Sequence, residues 1–271
     1  MLKCKNVKPL SVLLAVLLVA GMSGIARADT LKVCYDQWAP MTIFPADGEA
    51  GRGVVIDMLD EIYASKGYGI EYYEVPLARG IAMVADGGCD MLPEYVYVKE
   101  AEKDVVYAEE KTFAYTTAFV IRRNDPWRYD GIQSIVGKRV ATGPGWDYSA
   151  ASINYQNYID NPENAEFVEV ISGYDDVVDR IFTMIKEGRV DLYADNELVL
   201  QYVLNRLGMN DDLQVVRPGL EKKLVERAIF SKKMPDERRH ELIRIWNEGR
   251  IAMKGEREQF FLQKYDVTFE E

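Results

Sequence analysis

Apolar residues follow two alternating spacings along most of the chain. Short β-rich runs are followed by stretches in which apolar residues recur at helical spacing, and glycine or proline ends most segments. The predicted strands are residues 31–35, 70–75, 90–92, 116–121, 139–142, 167–171, 191–194, 213–216 and 226–230. The predicted helices are residues 53–66, 79–86, 174–187, 197–207 and 235–254, with a last one after Gly255. Strands that alternate with helices indicate an α/β fold with largely parallel sheets.

A short pattern occurs twice, at an offset of 101 residues. Each copy is a helix that stops at a glycine and is followed by an aspartate that opens a strand. The two copies are Arg79, Met83, Gly87 and Asp90, and Arg180, Met184, Gly188 and Asp191. The repeat indicates two similar α/β lobes. Two lobes leave a cleft between them, and clefts between domains are common sites for small ligands.

The N-terminus has the three parts of a secretory signal peptide. Lys3, Lys5 and Lys8 precede an apolar run at residues 10–20, and small residues flank Arg27. We expect residues 1–28 to be removed on export, which leaves residues 29–271 as a periplasmic protein that does not insert into the membrane. The alternative is an uncleaved N-terminal anchor, for which the apolar run is short.

Charge and composition narrow the function classes. The chain has 33 basic and 44 acidic residues, so its formal net charge is −11. An acidic protein is a poor partner for nucleic acid, because phosphate binding requires a basic surface. The single histidine, His240, lies in a polar predicted helix, and no Cys/His cluster has the spacing of a zinc site. We therefore expect no metal and no cofactor.

Two cysteines follow the predicted signal peptide. Cys34 and Cys89 could form a disulfide, because export brings the chain into an oxidising compartment. They could also remain two small buried thiols, since free cysteine packs well in cores. Their apparent place in parallel strands favours the thiols slightly.

An ordered set of short motifs resembles a known family. The set comprises residues 35–40 (Tyr-Asp-Gln-Trp-Ala-Pro), Gly53 with Asp57 at a helix start, the lobe entry at residues 136–140 and the late strand at residues 228–232. It is similar to the polar-amino-acid branch of the periplasmic solute-binding proteins, extracellular family 3. The resemblance covers essentially all of residues 31–265.

The resemblance implies a two-lobed, type II periplasmic-binding fold with hinge strands. Lobe 1 would comprise residues 29–117 and 222–271, and lobe 2 residues 118–221. The lobes would close on a small polar ligand without chemistry. The implied partner is the membrane permease of an ABC importer, and we expect a monomer. Two alternatives stay open, namely a lyase on the same fold with Glu94 as general acid, and a sensory or accessory role in the periplasm.

The resemblance also implies a ligand site in lobe 1. In this family an aromatic residue after the first strand packs on the ligand, and Trp38 has that position. The positions that hold the ligand carboxylate through hydroxyl groups become Glu94, Tyr95 and Tyr97. The family's arginine falls on residue 101 or 102, which is not basic, so the bidentate carboxylate anchor is missing.

In lobe 2 the resemblance points to two segments. After the glycine turn come Trp146 and Asp147, and Asp147 is expected either to face the ligand or to cap the following helix. The family's aspartate for the ligand amino group falls at Asp195 and Asn196. Carboxylates interleaved with aromatic rings suit a cationic ligand, such as an amine, a polyamine or a cationic amino-acid derivative.

Arg79 is the counter-argument to a purely cationic ligand. It follows the second predicted strand and would hold a ligand carboxylate if it faced the cleft. Arg180 has the same place in the repeat, which favours a structural role for both. The sequence leaves both alternatives open.

Overall fold

Our computed structural model describes residues 1, 29–45, 51–144, 146–173 and 176–268. The predicted signal peptide, except for Met1, lies outside the described residues, as do Gly145 and the predicted start of a helix at Tyr174. None of the described helices is long and apolar enough to cross a membrane.

Ten strands and seven helices of the described residues alternate along the chain. The strands are β1 (Thr30–Tyr35), β2 (Gly69–Glu74), β3 (Met91–Val96), β4 (Val105–Tyr115), β5 (Thr117–Arg122), β6 (Val140–Thr142), β7 (Val168–Val170), β8 (Leu192–Asn196), β9 (Leu213–Val216) and β10 (Leu224–Ser231). The helices are α1 (Val54–Ala64), α2 (Leu77–Asp86), α3 (Ile153–Asp160), α4 (Val177–Lys186), α5 (Glu197–Arg206), α6 (Asp236–Met253) and α7 (Glu256–Lys264). The predicted α/β class is confirmed.

The strands form two five-stranded mixed sheets. The first has the order β2-β1-β3-β10-β4 and the second β7-β6-β8-β5-β9. In the first sheet β1 runs parallel to β2 and β3, while β10 is antiparallel to β3 and β4. Helices α1 and α6 pack together against the first sheet, and α2 contacts β1 and β10. Each sheet thus carries its own helices, as two α/β lobes require.

The chain passes between the sheets in two places. It leaves the first sheet after Tyr115, enters the second at Thr117, and returns between Val216 and Leu224. The two crossings are close together, because Leu220 N–H donates to the Thr117 carbonyl at 2.8 Å and a Cβ placed at Gly219 would clash with that carbonyl oxygen. These two crossings are the hinge, and we keep lobe boundaries at residues 117/118 and 221/222 as a proposal.

The repeated motif corresponds to the same turn in both sheets. Asp90 Oδ2 accepts a hydrogen bond from the backbone N–H of Lys32 at 2.9 Å, and Asp191 Oδ2 accepts one from Arg139 N–H, also at 2.9 Å. The glycine three residues before each aspartate has a positive φ, which favours glycine. Each aspartate therefore ties the start of its strand to the neighbouring strand.

Cys34 and Cys89 form a disulfide, with their Cα atoms 5.9 Å apart. The prediction that slightly favoured free thiols is wrong. Cys34 lies in β1 as expected, but Cys89 lies in the turn between α2 and β3, one residue before the aspartate that opens that strand. A residue in this turn is not held in the ladder of β3, so its side chain can turn towards Cys34 at a Cα separation within the range of disulfides.

Candidate functional site

Trp38 connects the two lobes. It follows β1 in a tight loop, where its N–H donates to the Thr42 carbonyl at 2.8 Å. Its ring packs against Tyr115, with 5.7 Å between the ring centroids. A hydrogen bond from its side chain also lowers the pKa of Asp195, which belongs to the second sheet. The ends of β1 and β8 therefore meet at the seam between the lobes.

Two buried glutamates lie on neighbouring strands below this loop. Glu226 in β10 is paired in register with Val96, so Glu226 and Glu94 are diagonal neighbours across β3 and β10. Each is only 7% exposed. The Tyr115 hydroxyl donates to Glu226 Oε1 at 3.1 Å, while Glu226 Oε2 and Glu94 Oε1 have no hydrogen-bond partner among the described residues. A buried acceptor that has no hydrogen-bond partner costs free energy of folding. These two oxygens therefore indicate a ligand-binding site and not a role in core packing.

Asp36 and Asp195 complete a set of four carboxyl groups, which we call the acidic cluster: Asp36, Glu94, Asp195 and Glu226. Burial raises the pKa of Glu94 well above its usual range, and the charges of Glu226 and Asp36 raise it further. Burial likewise raises the pKa of Glu226, with the charges of Asp36 and Asp195 adding to it. These interactions place all four groups within one electrostatic neighbourhood.

The two aspartates of the acidic cluster are half-buried and have raised pKa values. Burial raises the pKa of Asp36 to about 6, against an opposing hydrogen bond from its own backbone. Burial also raises the pKa of Asp195 to about 6, although hydrogen bonds from Tyr193, the Asn196 N–H and Trp38 lower it. Ionising either group therefore costs free energy in the folded protein.

One buried cation lies near the acidic cluster, but other partners occupy it. The charge of Arg250 lowers the pKa of Glu94. The same guanidinium donates to the Thr112 carbonyl at 2.7 Å and to Glu258 Oε2 at 2.7 Å, and it lies over the ring of Phe113. Arg250 is therefore committed to holding α6 and α7 against β4, and it does not neutralise the four carboxyl groups.

Asn196 has a structural place next to Asp195. It is 1% exposed, and its Oδ1 accepts a hydrogen bond from Leu198 N–H at 2.9 Å, which makes it the N-cap of α5. Its Nδ2 has no partner among the described residues. The adjacent pair thus divides two tasks, since Asp195 faces the seam and Asn196 starts the helix.

Asp147 does not cap a helix, so that alternative is wrong. The next helix, α3, begins at Ile153, and its cap is Ser152, which accepts Tyr155 N–H at 3.1 Å. Asp147 is exposed and instead closes a local turn, in which Oδ1 accepts Ser149 N–H at 2.7 Å. The chain between residues 146 and 152 contains this turn, which displaces the helix start along the sequence.

Three of the backbone donors of that turn, including that of Ser149, are occupied by the chain itself. Trp146 N–H donates to the Gly143 carbonyl at 3.3 Å, and Tyr148 N–H donates to Gln156 Oε1 at 2.6 Å. Trp146 is half-buried, and its ring lies 5.7 Å from the ring of Tyr193, between centroids. Lobe 2 therefore offers an aromatic wall at this position.

The remaining predicted residues lie further out. Tyr95 is stacked on Tyr107 with 6.2 Å between ring centroids, and burial and the charge of Asp147 raise its pKa. Tyr97 is 53% exposed. Arg79 is exposed in α2 and has no hydrogen bond or ion pair with a described residue. Arg180, its equivalent in the repeat, pairs with Asp176 at 3.4 Å.

Sequence reasoning missed Asp36, Tyr115 and Glu226 as members of the site. Asp36 belongs to the motif after the first strand, two residues before Trp38. Glu226 is an acidic residue in a predominantly apolar strand, and a buried carboxylate in such a strand is a signal for a site. Among the described residues, no three His, Cys, Asp or Glu side chains are placed to hold a metal ion.

Two mixed α/β sheets with these strand orders, joined by two crossings and carrying polar groups at their seam, define the type II periplasmic-binding fold. The sequence model of the bacterial extracellular solute-binding proteins, family 3, matches residues 31–259, and the chain belongs to that family. No curated protein matched the chain.

Solved structures with the same fold have low sequence identity. An ancestral arginine-binding protein bound to arginine is 18% identical, with a TM-score of 0.66 over 88% of this chain and 98% of that chain. A substrate-binding protein of an ABC uptake transporter from Streptococcus pneumoniae with bound histidine is also 18% identical, with a TM-score of 0.66 over 88% and 92%. A histidine kinase sensor domain is 16% identical, with a TM-score of 0.68 over 90% and 99%. At this identity they establish the fold alone.

Proposed function

We propose that this protein captures a small polar solute with a cationic nitrogen between its two lobes and releases it unchanged. The observation that carries the proposal is the acidic cluster, in which two carboxylate oxygens are buried without a partner. A ligand ammonium or guanidinium group would supply the missing donors and the missing positive charge. Trp38 and Trp146 are half-buried beside the same carboxyl groups and would offer their ring faces to the cation.

The cellular role that best fits such a protein is delivery of the solute to a membrane permease of an ABC importer. The family and the histidine-bound uptake protein support that role. The predicted signal peptide and the disulfide support export to the periplasm, where disulfides persist. A ligand-sensing role is the second candidate, because a histidine kinase sensor domain has the same fold over 90% of this chain.

The binding function is tested by isothermal titration calorimetry after a thermal-shift screen of amines, amino acids and carboxylates. A ligand at a hundred times its Kd should stabilise the protein by about 2.7 kcal/mol. For a cationic hit, Glu94→Gln should weaken binding by roughly 10- to 100-fold, because a charge-assisted hydrogen bond is worth about 1.5–3 kcal/mol.

The matched control is Arg79→Ala, which should change the Kd by less than about twofold if Arg79 does not touch the ligand. A larger loss for Arg79→Ala than for Glu94→Gln would instead indicate a carboxylate anchored at Arg79. Turnover of a hit would move the protein to the lyase class, and only carboxylate hits would refute the cationic ligand.

A further inference from the structure

We propose that the ligand is a carboxylate-free dication, of the chemical class of the diamines and amino-guanidines, and not an α-amino acid. This inference rests on the proposed function and narrows its ligand. It follows from the number of acids at the seam and from the lack, among the described residues, of a cationic group that is placed to receive a ligand carboxylate.

The first step is the charge of the site. Lobe 1 contributes Asp36, Glu94 and Glu226, and lobe 2 contributes Asp195. The raised pKa values of the two glutamates mean that their ionised forms lack compensating charge in the ligand-free protein. An α-amino acid with a neutral side chain brings as much negative as positive charge and would leave those ionised forms uncompensated. Even a basic amino acid adds only one net positive charge. A dication adds two, and it adds no further acid to buried carboxyl groups that already repel one another.

The second step is the spacing of the unpartnered acceptors. Glu94 Oε1 and Glu226 Oε2 are separate oxygens on neighbouring strands, and both side chains are more than nine-tenths buried. Asp195 lies across the seam, where its charge raises the pKa of Glu226. Unpartnered acceptors on one wall and the Asp195 carboxylate on the other suit a ligand with a donor at each end better than one with a single ammonium group.

The third step is the search for a group that would receive a carboxylate. Arg250 is held by Thr112 and Glu258. Arg217, at the hinge, donates from Nε to Glu197 at 2.9 Å. Arg79 is exposed in α2, and the cation that lowers the pKa of Glu94 is Arg250 instead.

Backbone donors do not replace these arginines. In the turn after β6, the N–H groups of Trp146, Tyr148 and Ser149 already donate to Gly143, Gln156 and Asp147. The exposed carboxylate of Asp147 makes that turn still less suited to an anion. The buried donors without a partner beside the seam, such as Asn196 Nδ2 and Thr117 Oγ1, are neutral. A ligand carboxylate would therefore be desolvated next to the acidic cluster without a cationic partner, a cost that an amine without this group avoids.

The test uses pairs of probes that differ in one group. Cadaverine is lysine without its carboxylate, agmatine is arginine without its carboxylate, and n-pentylamine is cadaverine without one ammonium. We expect calorimetry at pH 7.5 to show cadaverine or agmatine binding at least tenfold more tightly than lysine or arginine. Pentylamine should bind at least tenfold more weakly than cadaverine.

A variant tests whether Glu226 binds the second ammonium group of the dication. Glu226→Gln should weaken the binding of cadaverine by at least tenfold and the binding of pentylamine by less than threefold. Asp211→Asn, on the exposed surface of lobe 2, should change neither. If Glu226→Gln does not fold, Asp195→Asn, which removes the charge on the opposite wall, takes its place in the same comparison.

Two results would overturn the inference in different ways. Equal or tighter binding of lysine or arginine than of the matched amine would refute the carboxylate-free dication but leave a cation-binding protein. No binding by any of the five probes would refute the inference together with the proposed cationic ligand.

Discussion

Replacing Asp36 by asparagine should stabilise the ligand-free protein at neutral pH. Asp36 is half-buried at the end of β1, and burial raises the pKa of its carboxyl group from 3.8 to about 6. At 1.36 kcal/mol per pH unit this change corresponds to about 3 kcal/mol against the ionised form. The figure is an upper bound, because water still reaches part of the side chain. Asparagine keeps the acceptor for the local backbone hydrogen bond but carries no charge.

The pH dependence gives the sign of this effect. Between pH 3.8 and about 6 the folded protein binds more protons at Asp36 than the unfolded chain does. The free energy of unfolding therefore falls as pH rises through that range, and it falls no further from this group above it. Asp36→Asn should be nearly neutral at pH 4 and stabilising by up to about 3 kcal/mol at pH 7.5, which is a rise in Tm of up to roughly 6–12 °C.

Urea denaturation of ligand-free protein at both pH values measures this difference. Other titrating groups cancel when wild type and variant are compared at one pH, and Asp211→Asn serves as an exposed control. The same variant should bind a cationic ligand more weakly. Equal destabilisation at pH 4 and pH 7.5 would refute the argument, because it would mean that Asp36 acts through packing and not through its buried charge.

Three further perturbations test what holds the fold together. The disulfide closes a separation of 55 residues, so replacing both cysteines by serine should lower the free energy of unfolding by about 4 kcal/mol, as measured by urea denaturation. A variant as stable as wild type would contradict the chain-entropy estimate. Arg250→Met should lower the free energy of unfolding by about 3–5 kcal/mol, because it leaves buried partners unpaired. Arg244→Met removes an exposed ion pair on the same helix and should lower it by less than about 1 kcal/mol. Similar losses for the two variants would contradict the role of burial. Gly219→Ala should lower the free energy of unfolding by about 1–3 kcal/mol and weaken ligand binding, because the added Cβ has no room at the hinge. Gly69→Ala is the control, since Gly69 has open space around it. A Gly219→Ala variant with unchanged stability and binding would refute the steric argument.

The sequence predicts the strands and helices whose side chains follow one period. The parallel strands β1, β3 and β8 and the long helix α6 fall close to their expected positions. β4, the longest strand, was not predicted, since its charged centre interrupts the apolar alternation: it reads VVYAEEKTFAY. α3 was not predicted either, because its mean hydropathy is near neutral and its apolar side is formed largely by tyrosine.

The site was predicted in part, and the missing part comes from strand order. The family motifs identify Trp38, Glu94 and Asp195 without reference to long-range pairing. Glu226 joins them only because β10 returns from the second lobe and inserts between β3 and β4. Such an insertion is a non-local event that neither periodicity nor spacing along the chain records. For the same reason the sequence could not show that Arg250, a residue of the last long helix, lies near Glu94.

The position of Asp195 suggests how ligand charge and lobe closure are coupled. Asp195 meets Trp38 and influences Glu226 across the seam, so closing the lobes buries an acid against acids. Burial raises the pKa of Asp195 to about 6, so its ionised form is the costly one at neutral pH, and any closure that buries it further adds to that cost. A ligand shifts a conformational equilibrium only through its differential affinity for the two states, and a cation that contacts both walls has that difference. Asp195→Asn should therefore close more readily without ligand and show a smaller decrease in the radius of gyration on addition of cadaverine, as measured by small-angle X-ray scattering. If the variant and the wild type had the same ligand-free radius, the charge of Asp195 would not oppose closure, and the hinge would have to be driven by contacts outside the acidic cluster.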